Sequence, residues 1–395
     1  MRFSIKLLLY LAVMYISTWQ NVHAQTINTP VGKLPHPAGP FVVGTKVFYM
    51  KDPKRTDTLQ HSKWDVIVQA WYPCSARTKG IKMDYAPDKR LVDYFLKNHY
   101  YDIDSTILKS FYTLKTNSYK NAAILNQGKF PVLFFSPGFG TTRIFYTSIC
   151  EALASNGIIV LEIDHLYEGA TILPNGKAID NSMYPDTTNA SLSMQCVRDI
   201  QFVIDEVERP LSAIGKLFYK NADFNNIGAS GHSYGGNLAI EMPIKDKRVK
   251  YSINLDGGDF SNIAGMKLTA PTLIVRERPN YTDDELRKKG RDPVKWKADS
   301  TKSLLVYFDA LNTSEKTSYL VKVNQTGHFS FSDALYLMPS MLTHFLGTYL
   351  TPGRNLQLVS NLMLTFIQSA TSKEKLNNFG HHFAQDKELT FYKVH

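Results

Sequence analysis

Cysteine is scarce, with 3 in 395 residues. That is too few to staple a fold, and the odd count lets Cys74, Cys150 and Cys196 form at most one bridge. None sits on a sharp turn or beside a candidate base, which argues against a thiol nucleophile. No apolar run reaches the ~20 residues that a bilayer span needs. Also missing are a long basic run, a nucleic-acid motif, an internal repeat, a low-complexity tract and metal-ligand spacing such as H-E-x-x-H. These absences speak against nucleic-acid binding, metal catalysis and fibrous or disordered classes. What remains is the balance of a packed globular protein, 44% apolar and 20% charged. The formal net charge of +10 comes from scattered Lys and Arg and reads as a solubility property.

The first 24 residues have the shape of a secretory leader. Arg2 and Lys6 precede the apolar run Leu7 to Ile16, and Val22-His23-Ala24 offers a small-residue cleavage site. We expect residues 1–24 to be a signal peptide cut after Ala24, leaving a mature chain of 25–395 with net charge +8 that is secreted or periplasmic. No Cys follows the apolar run, which argues against a lipoprotein anchor.

Beyond a Pro/Gly-rich lead-in (Pro30 to Pro40), Val43 to Met50 and Asp65 to Tyr72 read as an antiparallel strand pair. Residues 83–119 carry Leu91, Tyr94, Phe95, Ile107, Leu108, Phe111 and Tyr112 at helical spacing, and predict a helical insertion near the mouth of a site. From Phe130 onward the rhythm alternates. Apolar runs (Pro131 to Phe135, Ile158 to Ile163, Asn225 to Ala229, Val249 to Leu255, Pro271 to Val275, Tyr319 to Val323) are separated by helix-like stretches (Tyr146 to Asn156, Ala190 to Glu208, Gly235 to Lys245). Such alternation predicts a single α/β domain with a mostly parallel sheet covered on both faces. The charged segment Arg276 to Lys302 reads as a long loop. Leu356 to Ile367, within a C-terminal extension of about 354–395, is rich in Leu, Met and Phe and reads as docking onto the body, with peripheral lipid contact as the other reading.

Gly231-His232-Ser233-Tyr234-Gly235 lies between an expected strand and an expected helix. That context turns a G-x-S-x-G match into a nucleophile elbow, because strand and helix backbones approach closely there and only small residues fit beside the Ser. A serine hydroxyl is a poor nucleophile unless a His takes its proton and a carboxylate orients that His. His328, just after the last apolar strand, can reach the same sheet edge, whereas His344, His381, His382 and His395 lie in a helix-like stretch or a polar tail. Two acids compete by position. Asp256 ends the strand Val249 to Leu255, and Glu277 follows the next strand, where it also reads as a solvated charge between Arg276 and Arg278. For the oxyanion, the N–H of Tyr234 follows the nucleophile, and Ser136-Pro137-Gly138-Phe139-Gly140 forms a loop that can aim the Phe139 N–H inward. A phosphate-cradling role for that loop fails because no Gly-Lys-Ser/Thr follows.

With these pieces in place the chain resembles the plasma and type II platelet-activating-factor acetylhydrolases, a branch of the α/β-hydrolases. The resemblance runs from about Gly39 to about Asp333 and rests on Gly39-Pro40-Phe41-Val42-Val43-Gly44, Phe134-Phe135-Ser136-Pro137-Gly138-Phe139-Gly140, Leu153 to Val160, Gly231 to Gly236 and Leu255-Asp256. It implies Ser233 as nucleophile, Asp256 as acid and His328 as base, with Phe139 and Tyr234 as backbone donors and no metal or cofactor. It further implies a small-molecule ester substrate, phospholipid included, with a short or oxidised acyl group. Pro137 stands where the family usually has His, and Gly257-Gly258-Asp259 replaces a more aromatic stretch. Both departures bear on the substrate. A carbohydrate or other small-ester deacetylase of the same fold is the rival enzyme reading, and an inactive binding module is the rival of another class.

Overall fold

The structure, a computed structural model, describes residues 33–184, 189–258, 267–278, 281–288, 290–312, 314, 316–338 and 350–394. The expected signal peptide, residues 1–24, lies outside them, as does Asp259.

Val42–Asp57 (β1) and Ser62–Cys74 (β2) form the expected antiparallel pair. The stretch 83–119 departs from expectation. Lys89–Lys97 (α1) and Ser105–Ser110 (α2) are α-helical with a short 3-10 turn at Tyr100–Asp102 between them, while Lys82–Asp84 (β3) and Lys115–Lys120 (β4) pair with each other beside β1. The inward positions of β4 are Thr116 and Ser118, both buried. A period-two pattern carried by polar residues is invisible to a search for apolar alternation.

The α/β rhythm then follows the sequence closely: Phe130–Ser136 (β5), Thr147–Ser155 (α3), Ile159–Asp164 (β6), a small hairpin of Thr171–Ile172 (β7) and Ala178–Ile179 (β8), Asn189–Val207 (α4), Ala222–His232 (β9), Tyr234–Lys245 (α5), Val249–Leu255 (β10), Thr272–Arg278 (β11) and Ser318–Asn324 (β12). Eleven strands form one sheet in the order β13-β12-β11-β10-β9-β5-β6-β2-β1-β4-β3, with β13 defined below. The six strands from β12 to β6 run parallel. Successive side chains of one strand point to opposite faces, so Leu133 and Phe135 of β5 join one core layer with α3, and Val132 and Phe134 join another with α4 and α5. Burial on both faces is why these strands read as continuous apolar runs.

The charged segment 276–302 is not one long loop. β11 continues to Arg278, and Asp283–Lys288 (α6) and the start of Pro293–Asn312 (α7) are helical. Helix α6 is carried by its ends. Thr282 Oγ1 accepts the Glu285 N–H at 3.2 Å and Glu285 Oε2 accepts the Thr282 N–H at 2.7 Å, a reciprocal cap. Its acids fall in the first turn and its bases in the last, which suits the helix dipole.

The C-terminal extension docks on the body. Pro352–Ala370 (α8) buries Leu358, Leu362, Met363, Phe366 and Ile367 in the core layer of α3. After Lys373–Asn377 (α9), the chain returns as Leu389–Val394 (β13), which pairs antiparallel with β12 and closes that edge of the sheet. Among the described residues no helix is long and apolar enough to cross a membrane.

Candidate active site

The elbow forms where β9 ends at His232 and α5 begins at Tyr234. Ser233 between them has φ 54° and ψ −120°. A positive φ in a residue with a Cβ costs on the order of 1–3 kcal/mol and persists only when its surroundings enforce it. The glycines explain how. A Cβ on Gly231 would lie 2.4 Å from the Gly235 carbonyl carbon, and one on Gly235 would lie 2.1 Å from the Ser136 oxygen, so strand, helix and oxyanion loop meet here with no room for side chains.

The structure brings Ser233, Asp256 and His328 together. His328 Nε2 lies 3.0 Å from Ser233 Oγ, and His328 Nδ1 lies 2.7 Å from Asp256 Oδ2. Asp256 follows β10 and also has a positive φ, 53°. Its other oxygen accepts the Glu277 N–H at 3.0 Å and faces Arg276 Nη1 at 3.1 Å. Burial opposes the charge on Asp256, but Arg276 and the His328 hydrogen bond outweigh it and hold the carboxyl below its ordinary range. Burial likewise pulls His328 down, and the bond and charge of Asp256, with Glu277 behind it, more than compensate, leaving the imidazole above the usual His value.

Glu277 is not the solvated charge that its Arg neighbours suggested. It is partly buried beside the same His, and burial, then the Asp256 charge, push its carboxyl up to about 7. The parallel register of β10 and β11, which sets Leu255 beside Val275, brings the two acids side by side. Spacing along the chain gives no sign of that. Only Asp256 meets His328 Nδ1.

The oxyanion loop is held from three sides. Gly138 N–H donates to Tyr146 Oη at 3.0 Å, Gly140 N–H donates to the Glu168 carbonyl at 2.7 Å, and Thr141 Oγ1 donates to the Gly138 carbonyl at 2.6 Å. The Phe139 and Tyr234 rings pack edge to face at 5.9 Å, so the two expected backbone donors are neighbours. The insertion reaches the same loop, as expected of an element near the mouth. Tyr100 Oη donates to the Gly140 carbonyl, and Tyr101 Oη lies 3.5 Å from the Phe139 carbonyl. Phe329, next to His328, is exposed, but Phe331 is buried beside His232 and does not line the mouth.

Among the described residues one group, His165, Glu168 and Cys196, has ligand atoms within 4.8 Å of one another and could in principle hold a metal ion. Both ring nitrogens of His165 are already engaged, Nε2 at 3.0 Å from Ser136 Oγ and Nδ1 at 2.9 Å from Asp199 Oδ2. Burial pushes Glu168 and Cys196 toward their neutral forms. His165 is thus tied to Ser136 and Asp199 rather than to the other two, and Glu168 Oε1 is buried without a hydrogen-bond partner among the described residues. All three Cys are buried free thiols, and burial raises the Cys74 thiol to about 12.

Three residues around the site escaped the sequence reading. His232 is the variable position of the elbow motif, Tyr146 opens an apolar helix, and Asp333 accepts the Ser148 N–H at 3.0 Å from the loop that carries His328. Each is a polar group whose partner lies far away in sequence, so no local pattern marks it.

The family model for platelet-activating factor acetylhydrolase, isoform II, matches residues 26–181 and 216–388. A protein of Arthroderma benhamiae named "Probable 1-alkyl-2-acetylglycerophosphocholine esterase" is 27% identical over 297 residues, 67% of this chain and 72% of that protein. The platelet-activating factor acetylhydrolase of Gallus gallus is 22% identical over 297 residues, 65% of each chain. Among solved structures, a ferulic acid esterase from Streptomyces cinnamoneus superposes with a TM-score of 0.67 at 21% identity, over 86% of this chain and 93% of that one. That likeness speaks for the α/β-hydrolase fold. The match of a family model along most of the sequence carries more, and by it the chain belongs to the platelet-activating factor acetylhydrolase, isoform II, family.

Proposed function

We propose that this chain is an exported serine esterase that hydrolyses short or oxidised acyl esters, phospholipids of the platelet-activating-factor type among them, through a Ser233-His328-Asp256 triad and an acyl-enzyme. The observation that carries the reading is the linear arrangement of Ser233 Oγ, the two His328 nitrogens and Asp256 Oδ2 at 3.0 and 2.7 Å. Membership of the family and the names of the relatives in Arthroderma benhamiae and Gallus gallus support the ester class.

The steps follow from the geometry. His328 Nε2 takes the proton of Ser233 Oγ as that oxygen bonds to the ester carbonyl carbon, and Asp256 stabilises the resulting imidazolium. The carbonyl oxygen becomes an oxyanion that accepts from the Phe139 and Tyr234 N–H groups. On collapse the carbon–oxygen bond to the alcohol breaks, and His328 returns the proton to the departing alkoxide. Water, deprotonated by His328, then attacks the acyl-enzyme and releases the carboxylic acid with Ser233 restored. Besides the ester and one water, every step uses protein groups. Export rests on the leader reading of residues 1–24.

Purified protein should be labelled by a fluorophosphonate, and Ser233→Ala should abolish the label. A wild-type chain that is folded yet unlabelled and inactive on acetyl and butyryl esters would overturn the reading in favour of a binding module. Mass measurement of the exported protein should place its first residue at Gln25.

A further inference from the structure

Between the oxyanion loop and His328 lie two buried polar side chains that the steps above do not use, Tyr146 and His232. Tyr146 Oη accepts the Gly138 N–H at 3.0 Å and lies 2.9 Å from His232 Nδ1. On its other side, His232 Nε2 lies 2.8 Å from the backbone carbonyl of His328. A carbonyl only accepts, so Nε2 carries the proton. Burial, then the neighbouring His328 charge, hold His232 down at about 3, which keeps the ring neutral and leaves Nδ1 bare to accept from Tyr146 O–H. Gly138 N–H donates to Tyr146 and His232 Nε2–H to His328, and with the ring neutral Nδ1 takes the Tyr146 O–H; Tyr146 Oη also lies 3.0 Å from Thr141 Oγ1, which itself donates to the Gly138 carbonyl. The charged and titratable groups around this end are His328 itself, Asp256, Glu277 and Arg276.

The fit around the chain is close. A Cβ on Gly138 would lie 3.2 Å from each of His232 Nδ1, Ser233 Cβ and Tyr146 Oη, so the loop cannot move inward and the relay cannot slacken outward without breaking contact. At its far end the His328 ring is held by Asp256, Nδ1 lying 2.7 Å from Oδ2. The base is thus held at two points, at its ring by Asp256 and at its carbonyl by His232.

Packing alone would be served by Phe and Leu at these two positions, with no buried polar atom to satisfy. Here the two outer polar atoms, Tyr146 Oη and His232 Nε2, each meet a backbone group of the proposed machinery, one beside Phe139 and one at His328, and Nδ1 joins the pair. We propose that Tyr146 and His232 are positioning residues, a directional relay that sets the oxyanion loop and His328 in register about Ser233 Oγ. This rests on the serine-esterase reading above.

The test is a kinetic cycle on the full chain, with kcat expressed per fluorophosphonate-titrated site so that loss of folded protein does not count. Tyr146→Phe keeps the ring and removes both relay bonds of the hydroxyl. His232→Asn keeps an acceptor near the Nδ1 position but loses the Nε2 donor, whereas His232→Gln keeps a donor able to reach the His328 carbonyl. Tyr146→Phe should lower kcat roughly ten- to a hundred-fold, the range expected when a buried bond to a reacting assembly is lost. KM should change by less than about two-fold, because the bonds set geometry at the transition state rather than substrate binding. His232→Asn should fall as far, His232→Gln should recover part of the loss, and the double variant Tyr146→Phe/His232→Asn should be little worse than the poorer single. Unchanged kcat per site in Tyr146→Phe, or losses that multiply in the double variant, would overturn the relay while leaving the esterase intact. A wild-type chain not labelled at Ser233 would overturn the esterase reading, and the relay with it.

Discussion

The N–H of Ser233 donates to the carbonyl of Leu255 at 2.9 Å, which ties the elbow to the residue just before Asp256. Both Ser233 and Asp256 adopt positive φ, 54° and 53°. Nucleophile and acid are therefore each turned out of adjacent parallel strands by the same kind of backbone step, and the hydrogen bond between those steps holds them in fixed relation. The first prediction follows. Ser233→Ala, which keeps a Cβ at the strained position, should retain the wild-type thermal midpoint and lose nearly all turnover. A residue of roughly 10³-fold over water would remain from the oxyanion donors. Near-normal turnover would remove Ser233 from the mechanism.

The two acids separate cleanly by substitution. Asp256→Asn should lower kcat by roughly 10⁴, because His328 loses the acceptor that fixes its tautomer. Glu277→Gln should leave kcat at alkaline pH nearly unchanged, since its carboxyl does not meet His328 Nδ1. The reverse ranking in steady-state kinetics would move the acid to β11.

A pH profile should show what Glu277 does. His328 must be neutral to act as base, and it lies above the ordinary His range. The acidic limb of kcat/KM should accordingly fall above about 6.5, the unperturbed His value. Removing a neighbouring negative charge favours the neutral imidazole, so Glu277→Gln should move that limb to lower pH. A limb that stays in place would show that Glu277 does not act on His328 through its charge.

Stability should depend on pH through Asp333. Burial pushes its carboxyl from 3.8 up to about 8. Between those values the folded chain holds a proton that the unfolded chain has released, so the stabilisation is full below about 3.8 and is lost as pH rises toward 8. Asp333→Asn removes the titration. Its thermal midpoint relative to wild type should rise steadily between pH 4 and pH 9, and a constant difference would show that Asp333 does not titrate there.

Substrate preference should follow the crowding at the mouth. Phe139 and the Tyr100-Tyr101 pair crowd the oxyanion loop, and the function proposed above expects a short acyl group there. An apolar pocket discriminates by only about 1–3 kcal/mol per methylene, so kcat/KM should decline stepwise from acetyl and butyryl through octanoyl to palmitoyl esters. A palmitoyl optimum in that series would replace the short-acyl reading with a lipase-like one.

Sequence alone determined the parts of this protein that local physics encodes. Strands buried on both faces read as unbroken apolar runs, helices between them repeat at 3.6 residues, and an elbow demands glycine where three backbones meet. For that reason β5, β6, β9 to β12, Ser233, His328 and the Phe139 loop were legible, whereas the small β7–β8 hairpin was not. Elements whose pattern is polar were not. β4 points Thr116 and Ser118 inward, and α6 is stabilised by its cap and end charges, so both lacked an apolar signature. β13 was not picked out of the tail: it is an edge strand with one partner, β12, and its residues 389–392 are only half-buried, Leu389 and Phe391 toward one core layer and Tyr392 toward another. What only the tertiary structure decided is which distant groups share a space: that Glu277 lies partly buried beside Asp256, and that Tyr146 and His232 join the oxyanion loop to His328. Hydrogen bonds act over about 3 Å in space and are blind to separation along the chain. Partners 86 and 96 residues apart, as Tyr146–His232 and His232–His328 are, can be recognised only once the sheet has brought them together.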